Sequence, residues 1–381
     1  MWFLRWFCAG MLAGWTLPVH AAVNSDISAL VQQISTDSMD VSVRRLVAFQ
    51  TRFMGSDSNA AASIWLGQKL SKMGYPVQFD TFQVNVNRTF RVNGVNRNFT
   101  LAKLPQWNVL AVKRGVLYPN RVVVIGGHYD SISIDRAQTA QDVAPGADDN
   151  ASGVAALLEI ARVIRQVNLD VTVVIAFWGA EELGLIGSEH YAAAARARGD
   201  DIVVMLQIDA IGTQASSLAN AFTIDTTSPY LSHGEVLAQA ASDYSDVRAF
   251  NGVGGRVFVS SRGCQCSDHQ SFLNYGYPAL GIFQYISNPA LHLNMSFDTL
   301  DHVDFRLVTG ITKASLAALL QFGGYPGRSA DFDSDGRVAF ADFLLFAQAY
   351  QAPIVETRFD LDRDGSVAFG DFLVFASVFG K

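Results

Sequence analysis

Several common features are scarce in this chain of 381 residues, and each scarcity excludes a class of protein. With 3 cysteines and 10 prolines, the fold does not rest on a disulfide framework or on collagen-like repeats. Charged residues make up only 17% against 50% hydrophobic residues, which excludes a disordered chain. Lysine and arginine number 28 against 35 acids, so the formal charge of -7 provides no strong basic field for nucleic acid or an anionic membrane.

The short signatures of many hydrolases and nucleotide-binding proteins are also missing. The sequence contains no His-Glu-x-x-His, no Gly-x-Ser-x-Gly, no phosphate-binding loop and no Cys-x-x-Cys. The length allows one large domain together with a smaller one. A metal site assembled from scattered residues is the catalytic option that remains.

The first residues have the pattern of an export signal. One positive charge, Arg5, precedes a short apolar run, and Val19-His20-Ala21 ends in a small residue. The run is shorter than the roughly 20 residues that a membrane-spanning helix needs, and no other stretch of the sequence qualifies. We therefore predict a signal peptide over residues 1–21, a mature chain without a membrane span, and a secreted, periplasmic or cell-surface location.

An acidic repeat fills the C-terminal part of the chain, residues 331–381. The stretch from Asp331 recurs from Asp360, an offset of 29 (360 minus 331), with every acid and the glycine in register. Three carboxylates at alternate positions, a glycine for the sharp turn and a carboxylate at the twelfth position are typical of a calcium-binding loop. The predicted ligands of two calcium ions are Asp331, Asp333, Asp335, Arg337 and Asp342 in the first loop and Asp360, Asp362, Asp364, Ser366 and Asp371 in the second. Helical spacing of apolar residues after each loop predicts a small all-α domain, with a solvated acidic tail as the alternative.

This repeat resembles a dockerin module, because it has two loop-helix units and an aspartate at the last ligand position of each loop. The resemblance implies docking onto a surface scaffold protein, although similar repeats occur on exported proteins with no known scaffold. A glycine-rich stretch over residues 323–330 predicts a linker in front of the repeat. The partner of the repeat stays open.

Between residues 22 and 322, apolar runs that each end in ionisable residues alternate with helical patterns. Four of these runs precede chemically useful groups: residues 122–125 lead to His128, 171–177 to Glu181 and Glu182, 203–208 to Asp209, and 279–286 to His292. The alternation predicts an α/β fold with a doubly wound, mostly parallel sheet flanked by helices. Because ligands bind at the carboxyl ends of parallel strands, we expect these side chains at one edge of the sheet.

Two further acids complete a candidate metal site. Asp148 stands where a loop enters a helix, and Asp130 follows His128 by two residues, where it is placed to support the other ring nitrogen. Histidine nitrogen and carboxylate oxygen are ligands that suit zinc, and one carboxylate can bridge two ions. Each residue alone has an ordinary explanation, such as a helix cap or a solvated turn. Only their combination favours the metal site.

The motifs that contain these residues resemble, in the same order, those of the di-zinc exopeptidase family of bacterial leucyl aminopeptidases. They are Gly126-Gly-His128-Tyr-Asp130, Pro145-Gly-Ala-Asp148-Asp149-Asn150, Trp178-Gly-Ala-Glu181-Glu182, Ile208-Asp209 and Ser267-Asp268-His269. The match spans most of residues 40–320 and implies a zinc exopeptidase-like fold. By this resemblance His128 and Asp209 hold one zinc ion, while Glu182 and a late histidine hold the second. Asp148 then bridges both ions, and Glu181 is the general base, with a third metal ligand as its alternative role.

The sequence departs from the family pattern near the last ligand. The family's histidine stands four residues before an Asp-Thr pair, whereas His292 precedes Asp298-Thr299 by six. We assign His292 as the last zinc ligand, and His302, which follows the pair, is the alternative. Some relatives carry a tyrosine just before this histidine, but this chain has Leu291 there. The zinc ions or Tyr285 are then left to stabilise the oxyanion.

The resemblance also indicates a substrate pocket. Asp268 and His269 follow Cys264-Gln-Cys266 in the segment that helps to line the pocket in the family, and a loop-capping network is their alternative role. Together with Tyr285 they form the predicted pocket. We expect the two thiols to pair in an oxidising compartment, while a free pair or a soft metal site stays open.

Three functions are compatible with these residues. The first is an exported aminopeptidase with two zinc ions, which removes N-terminal residues from peptides or proteins. The second is a carboxypeptidase or a glutaminyl cyclase on the same fold. A carboxypeptidase would use Arg256 and Arg262 for the substrate carboxylate, and relatives that cyclise glutamine work with a single zinc. The third is a non-catalytic surface-display protein, which the filled ligand positions disfavour.

Overall fold

The computed structural model of the chain describes residues 23–136, 140, 142–214, 218–285, 292–325, 330, 332–333, 337–352, 358–361 and 366–380. The predicted signal peptide lies outside the described residues, as does half of the predicted linker, residues 326–329. Four of the predicted calcium ligands also lie outside them: Asp331, Asp335, Asp362 and Asp364. Among the helices of the described ranges, none is long and apolar enough to span a membrane.

A nine-stranded mixed sheet forms the centre of the large domain. Its strands are β1 Val77–Val92, β2 Val95–Lys113, β3 Tyr118–His128, β4 Val171–Trp178, β5 Asp201–Ile208, β6 Ala221–Thr227, β7 Arg248–Ala249, β8 Phe258–Ser260 and β9 Ala279–Gln284. The order is β1-β2-β4-β3-β5-β9-β6-β7, with β8 paired to β6. All eight residues of β4 are buried, as expected of an interior strand covered on both faces.

Helices cover both faces of this sheet. They are α1 Ser25–Val31, α2 Thr36–Val47, α3 Asp57–Lys72, α4 Gly153–Ile164, α5 Ile186–Arg198, α6 Leu231–Tyr244, α7 His269–Asn274 and α8 Phe305–Phe322. Two more helices, α9 Phe340–Ala349 and α10 Phe369–Val378, belong to the C-terminal repeat. Val123 and Ile125 of β3 pack on one side with α2, α4 and α8, whereas Val124 packs on the other side with α5 and α7. Because successive side chains of a strand point to opposite faces, this packing gives the doubly wound arrangement. The predicted α/β sheet flanked by helices is confirmed.

The sheet is mixed because β2 on one side and β6 on the other run antiparallel to the central strands. β4, β3, β5 and β9 are neighbours and run parallel, while β1 pairs antiparallel with β2, β2 with β4, and β6 with β9. Asn93 and Gly94 join β1 to β2 in a two-residue turn, and their φ values of 49° and 80° suit a tight hairpin. The four parallel strands place their carboxyl ends at one edge of the sheet.

The outer part of the β1–β2 hairpin extends beyond the sheet and packs on the loop after β4. Only Val109–Lys113 of β2 pairs with β4. Farther out, Phe82 and Phe99 share an apolar cluster with Ala180 and Leu183, which belong to that loop. This packing brings the hairpin next to the carboxyl ends of the central strands.

The C-terminal repeat has an apolar core of its own. Phe332, Phe346, Phe359 and Phe375 form its centre, and the helices that contribute to it are α9 and α10. The two helices begin at the positions that the spacing of apolar residues predicts. Calcium binding by the loops in front of them stays a prediction.

Candidate active site

Three residues from three chain segments meet at the edge formed by the parallel strands. His128 ends β3 and is 1% exposed, and its Nε2 lies 3.1 Å from Oδ1 of Asp209, directly after β5. The same Nε2 lies 3.1 Å from Oδ1 of Asp149, in the turn that precedes α4. The ligand atoms of these three residues all lie within 4.8 Å of one another.

The loop after β4 adds two glutamates to the cluster. Glu181 and Glu182 form a second group with His128, again with their ligand atoms within 4.8 Å of one another. Both glutamates line the same pocket as His128, Asp149 and Asp209. The structure therefore brings together four of the predicted site residues and one neighbour, Asp149, to which no role was predicted.

Asp130 connects the histidine to the loop that carries the glutamates. Its Oδ1 accepts a hydrogen bond from the backbone N–H of Glu181 at 3.1 Å, and its Oδ2 accepts one from that of Glu182 at 3.3 Å. Its backbone oxygen lies 3.1 Å from Nδ1 of His128, and its carboxylate lies 3.7 Å from that nitrogen. Asp130 is fully buried and does not line the pocket. Asp130 thus lies beside the other ring nitrogen of His128, where the sequence analysis placed it. The catalytic role also predicted for it would be one of positioning other groups, because it does not reach the pocket.

Three of the four carboxylates of the cluster lie so close to other acids, and so far from solvent, that their pKa values are raised. Burial raises the pKa of Glu181 well above its usual value, and the charges of Asp268 and Asp209 raise it further. Burial, together with the charges of Asp149 and Glu181, does the same to the pKa of Glu182. The pKa of Asp149 is also raised, by burial first. Such a cluster favours a bound cation, which would stabilise the charged forms.

His128 and Asp209 behave as an ion pair inside this cluster. Burial alone would lower the pKa of His128, but the charges of Asp209 and Glu181 raise it well above its usual value. Burial opposes ionisation of Asp209, yet His128 and the hydroxyl of Ser267, which donates to its Oδ2 at 2.5 Å, lower its pKa. A metal ion binds the neutral imidazole, so metal binding at His128 would compete with protonation of its ring.

Asp148, the predicted bridging ligand, faces away from this cluster. Its Oδ1 accepts a hydrogen bond from the backbone N–H of Gly212 at 2.7 Å, and its Oδ2 accepts bonds from Thr213 Oγ1 at 2.7 Å and Gln284 Nε2 at 2.8 Å. In the turn before α4 the two adjacent acids point in different directions, and Asp149 is the one that meets His128. The structure corrects the prediction for Asp148 and gives its place to Asp149.

The late histidine lies on Asp148 rather than on Glu182. Nε2 of His292 is 3.0 Å from Oδ2 of Asp148, and its ring stacks on that of His302 with centroids 4.2 Å apart. Neither histidine belongs to the two groups of potential ligands around His128. The side-chain amide of Asn294, oriented with its nitrogen towards the carboxylate, lies 2.5 Å from Oε2 of Glu182.

Asp298, of the Asp-Thr pair that follows His292, fixes the turn that carries both adjacent acids. It accepts hydrogen bonds from the backbone N–H groups of Asp148 at 3.0 Å and Asp149 at 2.9 Å. On the other side of the turn, the buried Arg52 donates to the carbonyl oxygens of Pro145 at 2.7 Å and Gly146 at 2.9 Å. The direction in which Asp149 points is therefore set by contacts from distant parts of the chain.

Two pockets open at the cluster and share the wall formed by Asp149, Asp209, Cys266 and Asn294. One is polar and has a volume of about 480 Å³, and Glu181, Glu182 and the hairpin residues Arg88 and Phe90 line it. The other is largely apolar, and Phe258, Phe283 and Tyr285 are among its walls. Tyr285 thus lies in a pocket, as predicted.

Asp268 and His269 lie behind the pocket walls, so their predicted place in the pocket is corrected. Both are fully buried, and neither lines either pocket. Asp268 accepts a hydrogen bond from Gln207 at 2.8 Å, and His269 Nε2 lies 3.0 Å from Asp225. They form a network that supports the loop, which was the alternative role. Burial raises the pKa of Asp268 to about 7.

The two cysteines that follow the predicted signal peptide are bonded to each other. Cys264 and Cys266 form a disulfide, and Cys266 lines both pockets while Cys264 lines the apolar one. The bridge therefore stiffens the segment that separates the pockets. Asp225 accepts a hydrogen bond from the backbone N–H of Cys264 at 3.0 Å, which ties this segment to β6.

In the C-terminal repeat, the last predicted ligand of each loop is buried. Asp342 accepts hydrogen bonds from the backbone N–H groups of Phe332 at 2.6 Å and Ala339 at 2.8 Å, and Asp371 accepts one from Ala368 at 2.7 Å. The other predicted ligands within the described residues are Asp333, Arg337, Asp360 and Ser366. Asp342 and Asp371 are each 0% exposed. Buried carboxylates at the ends of oxygen-rich loops fit a calcium ion.

The cluster around His128 fits zinc by its donor set. One imidazole and several carboxylates converge in a buried, partly enclosed site at the ends of rigid strands. Nitrogen and oxygen donors of this kind are typical of catalytic zinc sites, which keep a position free for water or substrate. The residues placed to hold a metal are His128, Asp149, Glu182 and Asp209, with Glu181 beside them.

Sequence reasoning missed Asp149, Arg88 and Asn294. Asp149 stands next to the residue that was chosen, and no spacing rule separates two adjacent acids in a tight turn. Arg88 lies on a hairpin that carries no catalytic pattern, and only the tertiary packing brings it to the pocket. Asn294 lies two residues after His292, so a search for polar side chains around that histidine would have found it.

Comparisons with known proteins agree with this arrangement. A profile of Peptidase family M28 matches residues 108–319, which contain all the residues placed to hold a metal. Leucine aminopeptidase 1 of Paracoccidioides brasiliensis is 27% identical over 309 residues, covering 76% of this chain and 73% of that protein. A probable zinc metalloprotease of Leptosphaeria maculans is 27% identical over 371 residues, covering 86% of this chain and 83% of that protein.

Solved structures share the fold. The LapA aminopeptidase of Legionella pneumophila has a TM-score of 0.61 at 22% identity, covering 79% of this chain and 76% of its own. A glutaminyl cyclase of Porphyromonas gingivalis has a TM-score of 0.58 at 21% identity, covering 76% of this chain and 98% of its own. Since the same fold carries two different reactions, the chemistry has to be argued from the site.

Proposed function

Because the chain belongs to peptidase family M28, we propose that it is a zinc-dependent aminopeptidase that removes N-terminal residues from peptides or protein N-termini. The observation that supports this most directly is the buried cluster of His128, Asp149, Asp209 and the two glutamates next to an apolar pocket. Relatives named as a leucine aminopeptidase and a zinc metalloprotease support the same reading.

The proposed centre takes two zinc ions. His128 and Asp209 would hold one ion and Glu182 the other. His292, the predicted partner of Glu182, contacts Asp148 in this structure and would have to turn towards Glu182 to act as a ligand. Asp149 suits the bridging position, because it contacts His128 directly and its charge acts on Glu182. Zinc bound there would supply a lower pKa for the attacking water and polarisation of the scissile carbonyl.

Glu181 is the proposed general base and acid. Its carboxylate lines the polar pocket beside the residues placed to hold the metal, where it can accept a proton from the attacking water. Glu181 takes one proton from the attacking water as its oxygen bonds to the scissile carbon. It then delivers this proton to the amine nitrogen as the C–N bond breaks. Asp130 holds the backbone of Glu181 in place throughout.

The two pockets suit the two sides of the scissile bond. Phe258, Phe283 and Tyr285 give the apolar pocket the character needed for the side chain of an N-terminal residue. The polar pocket then receives the remainder of the peptide. The zinc ions or Tyr285, which lines the apolar pocket, would stabilise the oxyanion.

The test is hydrolysis of leucine p-nitroanilide by the mature chain. We expect release of the chromophore, loss of activity on chelation, recovery with zinc, and a loss of at least 100-fold in kcat for Glu181→Ala. Glu235→Gln, which replaces a surface acid outside both pockets, is the matched control and should keep wild-type activity. A zinc-loaded chain that leaves this substrate intact but shortens N-blocked peptides from the C-terminus would refute the proposal.

The carboxypeptidase alternative loses its predicted arginines. Arg256 lies 3.6 Å from Glu235 and contacts Gln239, and neither it nor Arg262 is among the described residues that line the two pockets at the cluster. The glutaminyl cyclase shares only the fold at its level of identity. A cyclase would convert N-terminal glutamine without shortening the peptide, so product analysis separates this reaction from peptide hydrolysis.

We further propose that the chain is exported after removal of residues 1–21 and binds two calcium ions in its C-terminal repeat. The buried carboxylates of Asp342 and Asp371 support calcium binding. A surface scaffold protein is the proposed partner of the repeat. Calcium titration of the mature chain, followed by isothermal calorimetry, tests the stoichiometry of two.

A further inference from the structure

The β1–β2 hairpin places one fixed cation at the entrance of the active-site pocket. Arg88 and Phe90 both line the polar pocket that contains Glu181 and Glu182. The two residues are two positions apart on β1, so their side chains project from the same face of the hairpin. The guanidinium carbon of Arg88 lies 5.6 Å from the ring centre of Phe90, which supports the charged group from below.

The hairpin is anchored, so the position of this cation is defined. Phe99 lies across the hairpin from Arg88 and packs on Phe90 and Phe53, with ring centres 5.7 Å apart in each pair. A side chain at Gly184, two residues after Glu182, would come within 3.2 Å of Nη1 of Arg88. Arg88 therefore lies directly over the loop that carries the catalytic glutamates.

Among the described residues, no acid neutralises the charge of Arg88. Within the described part of the chain, no carboxylate forms an ion pair with Arg88. It is the only lysine or arginine among the described residues that line the polar pocket, and all four acids of this pocket belong to the metal cluster. A guanidinium that is exposed to the pocket and supported by an aromatic ring is suited to bind a carboxylate of a ligand.

We propose that Arg88 forms a carboxylate-binding subsite on the leaving-group side of the scissile bond. This inference rests on the proposed aminopeptidase function and names its substrate class. The preferred substrates carry a negative charge just beyond the N-terminal residue. That charge is either the terminal carboxylate of a dipeptide or an acidic side chain at the second position. Both offer the same planar carboxylate to the guanidinium fork of Arg88.

Two pairs of substrates distinguish these sources of the carboxylate. Leu-Gly against Leu-Gly-amide tests the terminal carboxylate, and Leu-Glu-amide against Leu-Gln-amide tests the side chain. For the zinc-loaded full chain we expect kcat/KM to be about 10-fold higher for the charged member of at least one pair, as for one charge-assisted hydrogen bond. The preference should shrink in 1 M salt, because exposed charges are screened there.

Variants of the hairpin assign the preference to Arg88. In Arg88→Gln the ratio of kcat/KM within the preferred pair should fall to about one, and Arg88→Glu should favour Leu-Lys-amide over Leu-Glu-amide. Arg91→Gln is the matched control, since Arg91 is exposed on the opposite face of the same strand and is not among the described residues that line the two pockets at the cluster. It should keep the wild-type ratio. The conservative variant Arg88→Lys should retain part of the preference for the charged substrate.

The outcomes separate this inference from the proposed function. Equal rates within both pairs in the wild-type chain, or a preference that persists in Arg88→Gln, would overturn the carboxylate subsite while aminopeptidase activity stands. A zinc-loaded chain that cleaves neither leucine p-nitroanilide nor any of the peptides would overturn the proposed function and the subsite with it. A preference lost in Arg91→Gln as well as in Arg88→Gln would also overturn it, because the hairpin as a whole would then be responsible.

Discussion

Asparagine substitutions at Asp149 and, separately, at Asp148 test which of two adjacent acids belongs to the metal centre. The two residues have the same chemistry and neighbouring positions, but the structure gives them different surroundings. Asp149 contacts His128 in the cluster, whereas Asp148 is bonded to Gly212, Thr213 and Gln284. The two variants should therefore differ in kind.

Asp149→Asn should weaken zinc binding and leave the metal-free fold intact. Supporting residues around zinc sites are worth about 10- to 100-fold in metal affinity, so loss of a ligand should cost at least about 100-fold. A 100-fold loss removes about 2.7 kcal/mol of the stabilisation by zinc, or roughly 4 °C in Tm for the domain over residues 22–322. Without metal the variant should be no less stable than the wild type, because one of several crowded carboxylates is gone.

Asp148→Asn should instead weaken the fold itself. The new amide would place an N–H group against donors that now bond to the carboxylate, which costs about 1 to 3 kcal/mol. Zinc affinity should fall by only about 10-fold, as for a residue outside the ligand set. Zinc affinity is measured by competition with a chromophoric chelator, and stability by calorimetry with zinc or with EDTA. A variant pair in which Asp148→Asn abolishes zinc binding and Asp149→Asn retains it would refute the assignment.

Three further predictions concern residues outside the metal cluster, two in the scaffold of the site and one in the C-terminal repeat. Arg52→Met should lower the free energy of unfolding by about 3 to 5 kcal/mol in urea titrations, because four backbone carbonyls lose a buried cationic donor; a loss below about 1 kcal/mol would contradict this. Burial, with the charge of Asp148, raises the pKa of Asp298 from 3.8 to about 8. Between these pH values the folded state holds a proton on Asp298 that the unfolded state has lost, so the free energy of unfolding of the metal-free chain should fall as the pH rises from 3.8 to about 8. In Asp298→Asn this dependence on pH should be weaker. Equal dependence on pH in urea titrations of both chains with EDTA would argue against the prediction. Calcium should raise the Tm of the mature chain, and the combined Asp342→Asn and Asp371→Asn variant should lose this increment while its zinc response stays unchanged.

The strand ends of the site could be predicted because one physical rule covers them. Buried parallel strands read as apolar runs, and their carboxyl ends meet at one edge, so the residue after each run is a site candidate. His128, Glu181, Glu182 and Asp209 all follow from this rule, and the structure brings them together. The rule needs only local sequence, since each side chain is fixed by the strand that precedes it.

The parts that could not be predicted depend on contacts between distant segments. The direction of Asp149 is decided by a turn held between Asp298 and Arg52, which are far apart in the sequence. The presence of Arg88 in the pocket depends on the packing of Phe82 and Phe99 against the loop after β4. No periodicity in a single sequence encodes either contact. The same holds for His292, whose ring lies against Asp148 through a segment that follows β9.

A single buried carboxylate couples the proposed base to the proposed metal ligands. Asp130 accepts hydrogen bonds from the backbone N–H groups of Glu181 and Glu182, and its carboxylate lies 3.7 Å from Nδ1 of His128. One side chain therefore sets the relative positions of these three residues. Asp130 is fully buried and contacts all three groups, so a shift of its carboxylate would move all of them. Proton transfer by Glu181 requires a water held at a fixed distance from its carboxylate, and the residues placed to hold the metal determine where that water sits. Asp130 therefore contributes to the proposed reaction by fixing the positions of His128, Glu181 and Glu182 rather than by transferring a proton itself.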